Sequence, residues 1–263
     1  MRFTSMLSGL LLAGAAVAQN TSCSPTSADA SVLRYAYALQ GLLERYYTSQ
    51  PIDQSFFGDA RNGSTAQYYQ NFHGIQRENR LGVRAILQVA NKVPGYSNPT
   101  CDYSLPDVSS GEDYVANALR LEGSVAAAFI GATGYTQSPE VSFILARLAS
   151  QHTAGATWLA AQQTSVLFQA NSSALVPAYN PAYVLGTGDE TGRLGQYLGG
   201  CVSAPANPCG QAFYIGPLIG SIGNITAAAA GPSGSPSASA SASASVSPTP
   251  TVSPTGAAKK LKN

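Results

Sequence analysis

Three polar residues, Glu78, Glu122 and His152, interrupt otherwise apolar helical stretches and could carry chemistry. They stand out because charged residues make up only 10% of the chain, against about 25% in a typical soluble domain. An unpaired carboxylate in an apolar interior is costly. The three residues therefore pair with one another, bind a metal, or lie on a different helix face from the one their spacing predicts.

Metal binding is the chemistry that these residue types would support. Bundle cores that hold two metals use a Glu from each of two helices and a Glu-x-x-His pair from each of the other two. The i, i+3 spacing places both ligands of a pair on one helix face. Carboxylate and imidazole ligands suit iron, manganese or zinc.

Four long helical stretches would position these residues. They span residues 27–50, 64–93, 109–131 and 138–163. Ser109 and Glu112 form a capping-box pattern at the start of the third, and Ser138-Pro139-Glu140 starts the fourth. The sequence after Gln163 is loop-like, with a short helix predicted near residues 192–198. This pattern predicts an all-α four-helix bundle.

The sequence resembles the secreted ferritin-like proteins of fungi that are associated with stress response or desiccation. The resemblance covers residues 32–208. It is carried by Val32-Leu33-Arg34-Tyr35-Ala36, Pro99-Thr100-Cys101-Asp102-Tyr103, Leu121-Glu122-Gly123 with Phe129-Ile130-Gly131-Ala132, Ile144-Leu145 with His152, and Tyr197-Leu198-Gly199-Gly200-Cys201. It implies a ferritin-like bundle and, in intact members, a di-metal carboxylate centre.

The chain departs from that ligand pattern on three helices. The acids of the first helix fall at Gln40 and Leu43, with Glu44 one position away. The second helix keeps Glu78 but has Leu81 in place of His, and the fourth keeps His152 but has Ala149 in place of Glu. Glu122 on the third helix matches.

Three interpretations of function follow from this reduced set. The first is a non-catalytic secreted or wall-associated protein with a stress-related surface role, in which the polar residues hydrogen-bond to one another, to Gln40 and to buried tyrosines. The second is a binder of one iron, manganese or zinc ion through Glu78, Glu122, His152 and Gln40. The third is a metal-dependent oxidoreductase. The first is favoured because a half-missing ligand set rarely supports the chemistry, so no cofactor and no enzymatic activity are expected.

Both ends of the chain predict export. An apolar run, residues 6–17, ends in Ala16-Val17-Ala18, which is typical of a signal peptide spanning residues 1–18. The Ser/Ala/Pro-rich segment 227–263 is typical of an O-glycosylated, disordered tail. The bundle domain is assigned to residues 19–226, with an irregular, disulfide-tied C-terminal extension.

The remaining expectations concern the cell exterior and partners. An even number of cysteines in a secreted chain favours two disulfides, with three possible pairings among Cys23, Cys101, Cys201 and Cys209. Glycosylation sequons begin at Asn20, Asn62, Asn171 and Asn224. A net charge of +1 argues against nucleic-acid binding. Cell-wall polysaccharide is the expected partner, with no transmembrane segment and a monomer or small homo-oligomer.

Overall fold

The computed structural model describes residues 24–168, 170 and 176–207. All of them belong to one of the two units into which the chain divides, Met1–Ile225. The other, Thr226–Asn263, lies wholly outside the described residues. Several sequence predictions also fall outside them, namely the signal peptide, the Ser/Ala/Pro-rich tail, Cys23, Cys209, Asn20, Asn171 and Asn224.

Four long helices form the described structure, and its residues contain no β-strand. They are α1 (Ala30–Tyr47), α2 (Tyr68–Ala90), α3 (Gly111–Ala132) and α4 (Pro139–Gln163). The prediction of an all-α fold is confirmed. The predicted ends of α1 and α2 extend three or four residues too far on each side, because helix-compatible residues continue into the flanking turns.

The start of α4 follows the sequence prediction, whereas the cap of α3 is shifted by one residue. Ser138 accepts a hydrogen bond from the backbone N–H of Val141, and Pro139 follows it. At α3 the cap is Ser110, which accepts from the N–H of Asp113 at 3.0 Å. The predicted Ser109–Glu112 box is therefore wrong. Ser109 donates to Asp113, and Glu112 accepts from the Arg61 N–H at 2.6 Å.

The helices pack chiefly as two pairs, α1 with α2 and α3 with α4. Contacts between α1 and α3 and between α2 and α4 join the pairs into a bundle. The core between them is unusually aromatic. Fully buried rings come from three helices and from the loop before α2: Tyr35, Tyr46, Tyr47, Phe57, Tyr68, Phe72, Tyr114 and Phe129. Tyr46 stacks on Tyr114 with ring centroids 4.9 Å apart.

A C-terminal extension packs against this bundle. It contains a short helix, α5 (Pro181–Val184), and a 3-10 turn at Gly195–Tyr197, where a short helix was predicted. A disulfide joins Cys101, before α3, to Cys201. The Ser104 N–H donates to the Tyr197 carbonyl close by. The extension is thus held to the connection between α2 and α3.

Two further predictions concern described residues: the one about transmembrane segments and the glycosylation sequon at Asn62. None of the helices in the described part of the chain is long and apolar enough to cross a bilayer. Asn62 of the second sequon is exposed at a loop position with φ of 58°.

Candidate functional site

Five buried polar side chains meet at the centre of the bundle. Gln40 and Tyr47 come from α1, Asn79 from α2, Glu122 from α3 and His152 from α4. None is more than 1% exposed. All four long helices therefore contribute to one group, which we call the polar cluster.

The shortest contact of the polar cluster joins Glu122 to His152. The Oε2 atom of Glu122 lies 2.6 Å from Nδ1 of His152, and its Oε1 accepts a hydrogen bond from the Tyr47 hydroxyl at 2.7 Å. Burial, followed by the Glu122 charge and the hydrogen bond to it, raises the pKa of Tyr47 well above its ordinary value. Tyr47 thus remains a neutral donor to Glu122.

The other ring nitrogen of His152 faces an amide. Its Nε2 lies 3.0 Å from Oε1 of Gln40. The Gln40 Nε2 donates to Oδ1 of Asn79 at 2.7 Å and to the Asn79 carbonyl at 3.3 Å. The Asn79 Nδ2 in turn donates to the Ile75 carbonyl at 3.0 Å.

This chain of amides fixes the protonation of one histidine nitrogen. A backbone carbonyl can only accept, so the Ile75 carbonyl orients Asn79, and Asn79 orients Gln40. Gln40 consequently presents its oxygen to His152, and Nε2 of His152 must carry a proton. A second proton lies between Nδ1 and Oε2 of Glu122, so the pair is neutral as a whole and every polar side-chain atom of the polar cluster has a partner.

Gly82 leaves the space that Gln40 needs in the polar cluster, and Gly155 faces Glu122 at an ordinary contact distance. A Cβ atom on Gly82 would lie 2.8 Å from Cδ and Nε2 of Gln40. A Cβ atom on Gly155 would lie 3.4 Å from Oε2 of Glu122. The Phe129 ring covers His152, with ring centroids 5.5 Å apart. The polar cluster is thus sealed by backbone and by an aromatic ring.

This arrangement does not fit a bound metal. Two ligands about 2.1 Å from one ion at a right angle are about 3 Å apart, so 2.6 Å leaves no room for an ion between Glu122 and His152. Nε2 of His152 carries a proton and cannot ligate. Among the described residues, no group of three or more His, Cys, Asp or Glu has the arrangement of a metal site.

The structure brings together three of the four residues predicted as ligands, Gln40, Glu122 and His152, and excludes Glu78. Glu78 is exposed, and the inward residue at this turn of α2 is Asn79. The prediction that Glu78 faces the core is wrong because Glu78 lies one position, about 100°, off the buried stripe. That stripe runs Phe72, Ile75, Asn79, Gly82 and Ile86.

The corrected register changes which positions correspond to the metal ligands of a bundle. The inward i, i+3 pair of α2 is Asn79 and Gly82, in place of Glu78 and Leu81. The pair of α4 is Ala149 and His152. Together with Gln40 on α1, four of the six positions of a two-metal set therefore carry no ligand, and only Glu122 and His152 remain.

Sequence reasoning missed Asn79, and it predicted a buried tyrosine as a partner without identifying Tyr47. The three-four spacing of Phe72, Ile75 and Gly82 already passes through position 79, so the stripe itself could have identified Asn79. Glu44, the other acid near the site, instead pairs with Arg80 at 3.7 Å in a partly exposed position.

A bundle of four long helices with one polar group at its centre is the architecture of the ferritin-like class. The family model for the ferritin-like domain matches residues 28–165, more than half of the chain, and the chain belongs to that family. No curated protein and no solved structure matches the chain.

We expect Glu122→Ala to lower the free energy of unfolding by about 3–5 kcal/mol, because it leaves His152 and Tyr47 buried without an acceptor. Urea denaturation measures this change. The control is Glu140→Ala, which removes the half-exposed ion pair with Lys92 and costs no more than about 1 kcal/mol. Equal losses for the two variants would contradict a structural role for the polar cluster.

Gly82→Ala should destabilise the protein by about 1–3 kcal/mol, because its methyl group displaces Gln40 from both hydrogen-bond partners. Gly74→Ala on the same helix is the matched control. A Cβ there meets nothing within 4 Å, so higher helix propensity should stabilise the protein by up to about 1 kcal/mol. Thermal unfolding distinguishes the two, and a stabilising Gly82→Ala would show that Gln40 is not held in place.

Proposed function

We propose that this protein is a non-catalytic ferritin-like protein of the cell exterior, with a stress-related surface role. The observation that carries the proposal is the polar cluster, which occupies the place of the metal centre and satisfies its own hydrogen bonds. Glu122 and His152 bind each other instead of presenting lone pairs to an ion.

The proposed role of the polar cluster is to hold the four helices in register. Each of its hydrogen bonds between side chains crosses from one helix to another: α1 to α3, α3 to α4, α4 to α1 and α1 to α2. A slip of one helix would leave several buried donors or acceptors unpaired, at about 1–3 kcal/mol for each group. A network of this kind specifies one packing of an otherwise adaptable apolar and aromatic interior.

Three features support a location outside the cell. The apolar segment 6–17 has the pattern of a signal peptide. Cys101 and Cys201 form a disulfide, a bond that persists mainly in oxidising compartments. Asn62, in its sequon, is exposed, as a glycan acceptor must be. We propose that the extension tied by this disulfide and the Ser/Ala/Pro-rich tail place the bundle in the cell wall.

A cleft between α2 and α4 is the candidate contact for wall polysaccharide. It encloses about 340 Å³ and is lined by Trp158, Gln70, Gln151 and Glu78, among others. Aromatic rings pack against the apolar faces of sugars, while amide and carboxylate groups hydrogen-bond to hydroxyls. In this proposal Glu78, which is not part of the polar cluster, lies on the surface that binds polysaccharide.

Elemental analysis tests the absence of a metal. Protein produced in medium supplemented with iron, manganese and zinc should contain less than about 0.1 metal ion per chain, because Nε2 of His152 carries a proton and both Glu122 oxygens are engaged with His152 and Tyr47. A variant with the full ligand set, Gln40→Glu, Asn79→Glu, Gly82→His and Ala149→Glu, is the positive control and should bind up to two ions.

Two outcomes would overturn this part of the proposal. One ion per wild-type chain, lost in His152→Ala, would establish a single-metal binder. Two ions per chain together with oxygen consumption on addition of ferrous iron would establish an oxidoreductase.

Co-sedimentation with chitin and with β-1,3-glucan particles tests the polysaccharide contact. The wild type should sediment with at least one of them, and the double variant Gln70→Ala, Gln151→Ala should lose most of that binding, because it removes hydrogen-bonding groups from the cleft. Gln88→Ala, an exposed position elsewhere on α2, is the control. Equal sedimentation of all three proteins, or none by the wild type, would contradict the cleft as the contact.

A further inference from the structure

A second concave surface lies on the other side of α3 from the polar cluster. Positions 120 and 124 are each two residues from Glu122, and two residues turn a helix by about 200°. They line a groove of about 430 Å³, a volume typical of small-molecule sites. We call it the α3–α4 groove.

The walls of the α3–α4 groove are apolar. Small residues of the two helices, Gly123 and Ala126 of α3 and Ala156 and Ala160 of α4, keep it open between the helices. Thr153 also lines it, but its hydroxyl is engaged with the Ala149 carbonyl at 2.8 Å. A ligand here would meet mostly hydrocarbon.

Two polar groups stand out in this apolar lining. Arg120 is half-buried, and no carboxylate in the described part of the chain forms an ion pair with it. Its guanidinium donates to the Tyr197 hydroxyl and lies 5.2 Å from the centroid of that ring. Ser124 is 2% exposed, and its hydroxyl has no hydrogen-bond partner.

These two groups are placed to act on one ligand. Arg120 and Ser124 are four residues apart on α3, so they lie one above the other on the same helix face. A buried hydroxyl without a partner costs free energy, which a bound acceptor would recover. An arginine without a carboxylate at the edge of an apolar groove complements an anion attached to a hydrocarbon chain.

We propose that the α3–α4 groove binds a long-chain carboxylate, that is, a fatty acid. The carboxylate accepts hydrogen bonds from the Arg120 guanidinium and the Ser124 hydroxyl, and the acyl chain lies along Ala126, Ala156 and Ala160. This site is separate from the polar cluster and does not depend on whether a metal is bound there.

Fluorescence titration with cis-parinaric acid, an 18-carbon fluorescent fatty acid, tests the proposal on the full-length protein. Its methyl ester is the matched probe, with the same chain and no charge. We expect one binding site for the acid and roughly tenfold weaker binding of the ester, because charge-assisted hydrogen bonds to Arg120 are lost.

Four variants locate the site. Arg120→Gln should reduce affinity for the acid to that for the ester, and Ala156→Phe should abolish binding of both probes by filling the groove. Ser124→Ala should weaken acid binding while leaving the unfolding temperature unchanged or higher, since the lost hydroxyl has no partner in the free protein. Arg147→Gln, at an exposed position on α4, is the control and should bind like the wild type.

Several results would overturn the proposal. Equal affinity for acid and ester, or unchanged acid binding in Arg120→Gln, would remove the role of the charge. Retained binding in a folded Ala156→Phe variant would place the probe elsewhere. Failure of the wild type to bind either probe would exclude the site.

Discussion

The buried contact between Glu122 and His152 constrains the whole bundle. A carboxylate and an imidazole can share the interior only if a proton neutralises the pair and the remaining lone pairs and N–H groups are satisfied. Tyr47 satisfies one carboxylate oxygen, and Gln40 with Asn79 satisfies the far ring nitrogen. Because the pair and its partners together come from four helices, these hydrogen bonds link all four helices. Gly82 leaves room for Gln40, and the ring of Phe129 covers His152.

Local features of the sequence are enough to predict the fold. Predicting the polar cluster requires the buried face of each helix to be known to within one residue. Apolar spacing and the Ser138-Pro139 start are enough to locate four helices, because each is a property of a few neighbouring residues. Glu78 and Asn79 are adjacent in α2. At the edge of the buried stripe of this helix, a shift of one position moves a side chain from the core to solvent. The apolar spacing of α2 indicates Asn79, whereas the ligand pattern of the resembled family indicates Glu78. No local pattern shows that the Tyr47 hydroxyl reaches an acid 75 residues away.

The centre of the described bundle carries little charge. Where a two-metal bundle would carry six ligands, the polar cluster carries one carboxylate and one imidazole, and the other positions hold Gln40, Asn79, Gly82 and Ala149. These residues are neutral, and two of them are small. The two sides of α3 lie in different environments. One side holds the neutralised pair, and the other contributes Arg120 and Ser124 to an apolar groove in which those polar groups have few partners.

The neutral, fully paired interior also makes single acidic substitutions at the positions of a two-metal ligand set unfavourable. Gln40→Glu alone would add another buried carboxylate to the polar cluster and leave the acceptor on Asn79 without its donor. An acid at Ala149 alone would be buried with no cation to balance it. Each such substitution is unfavourable until the others are present together with an ion. The closed hydrogen-bond network therefore opposes the stepwise acquisition of a two-metal ligand set.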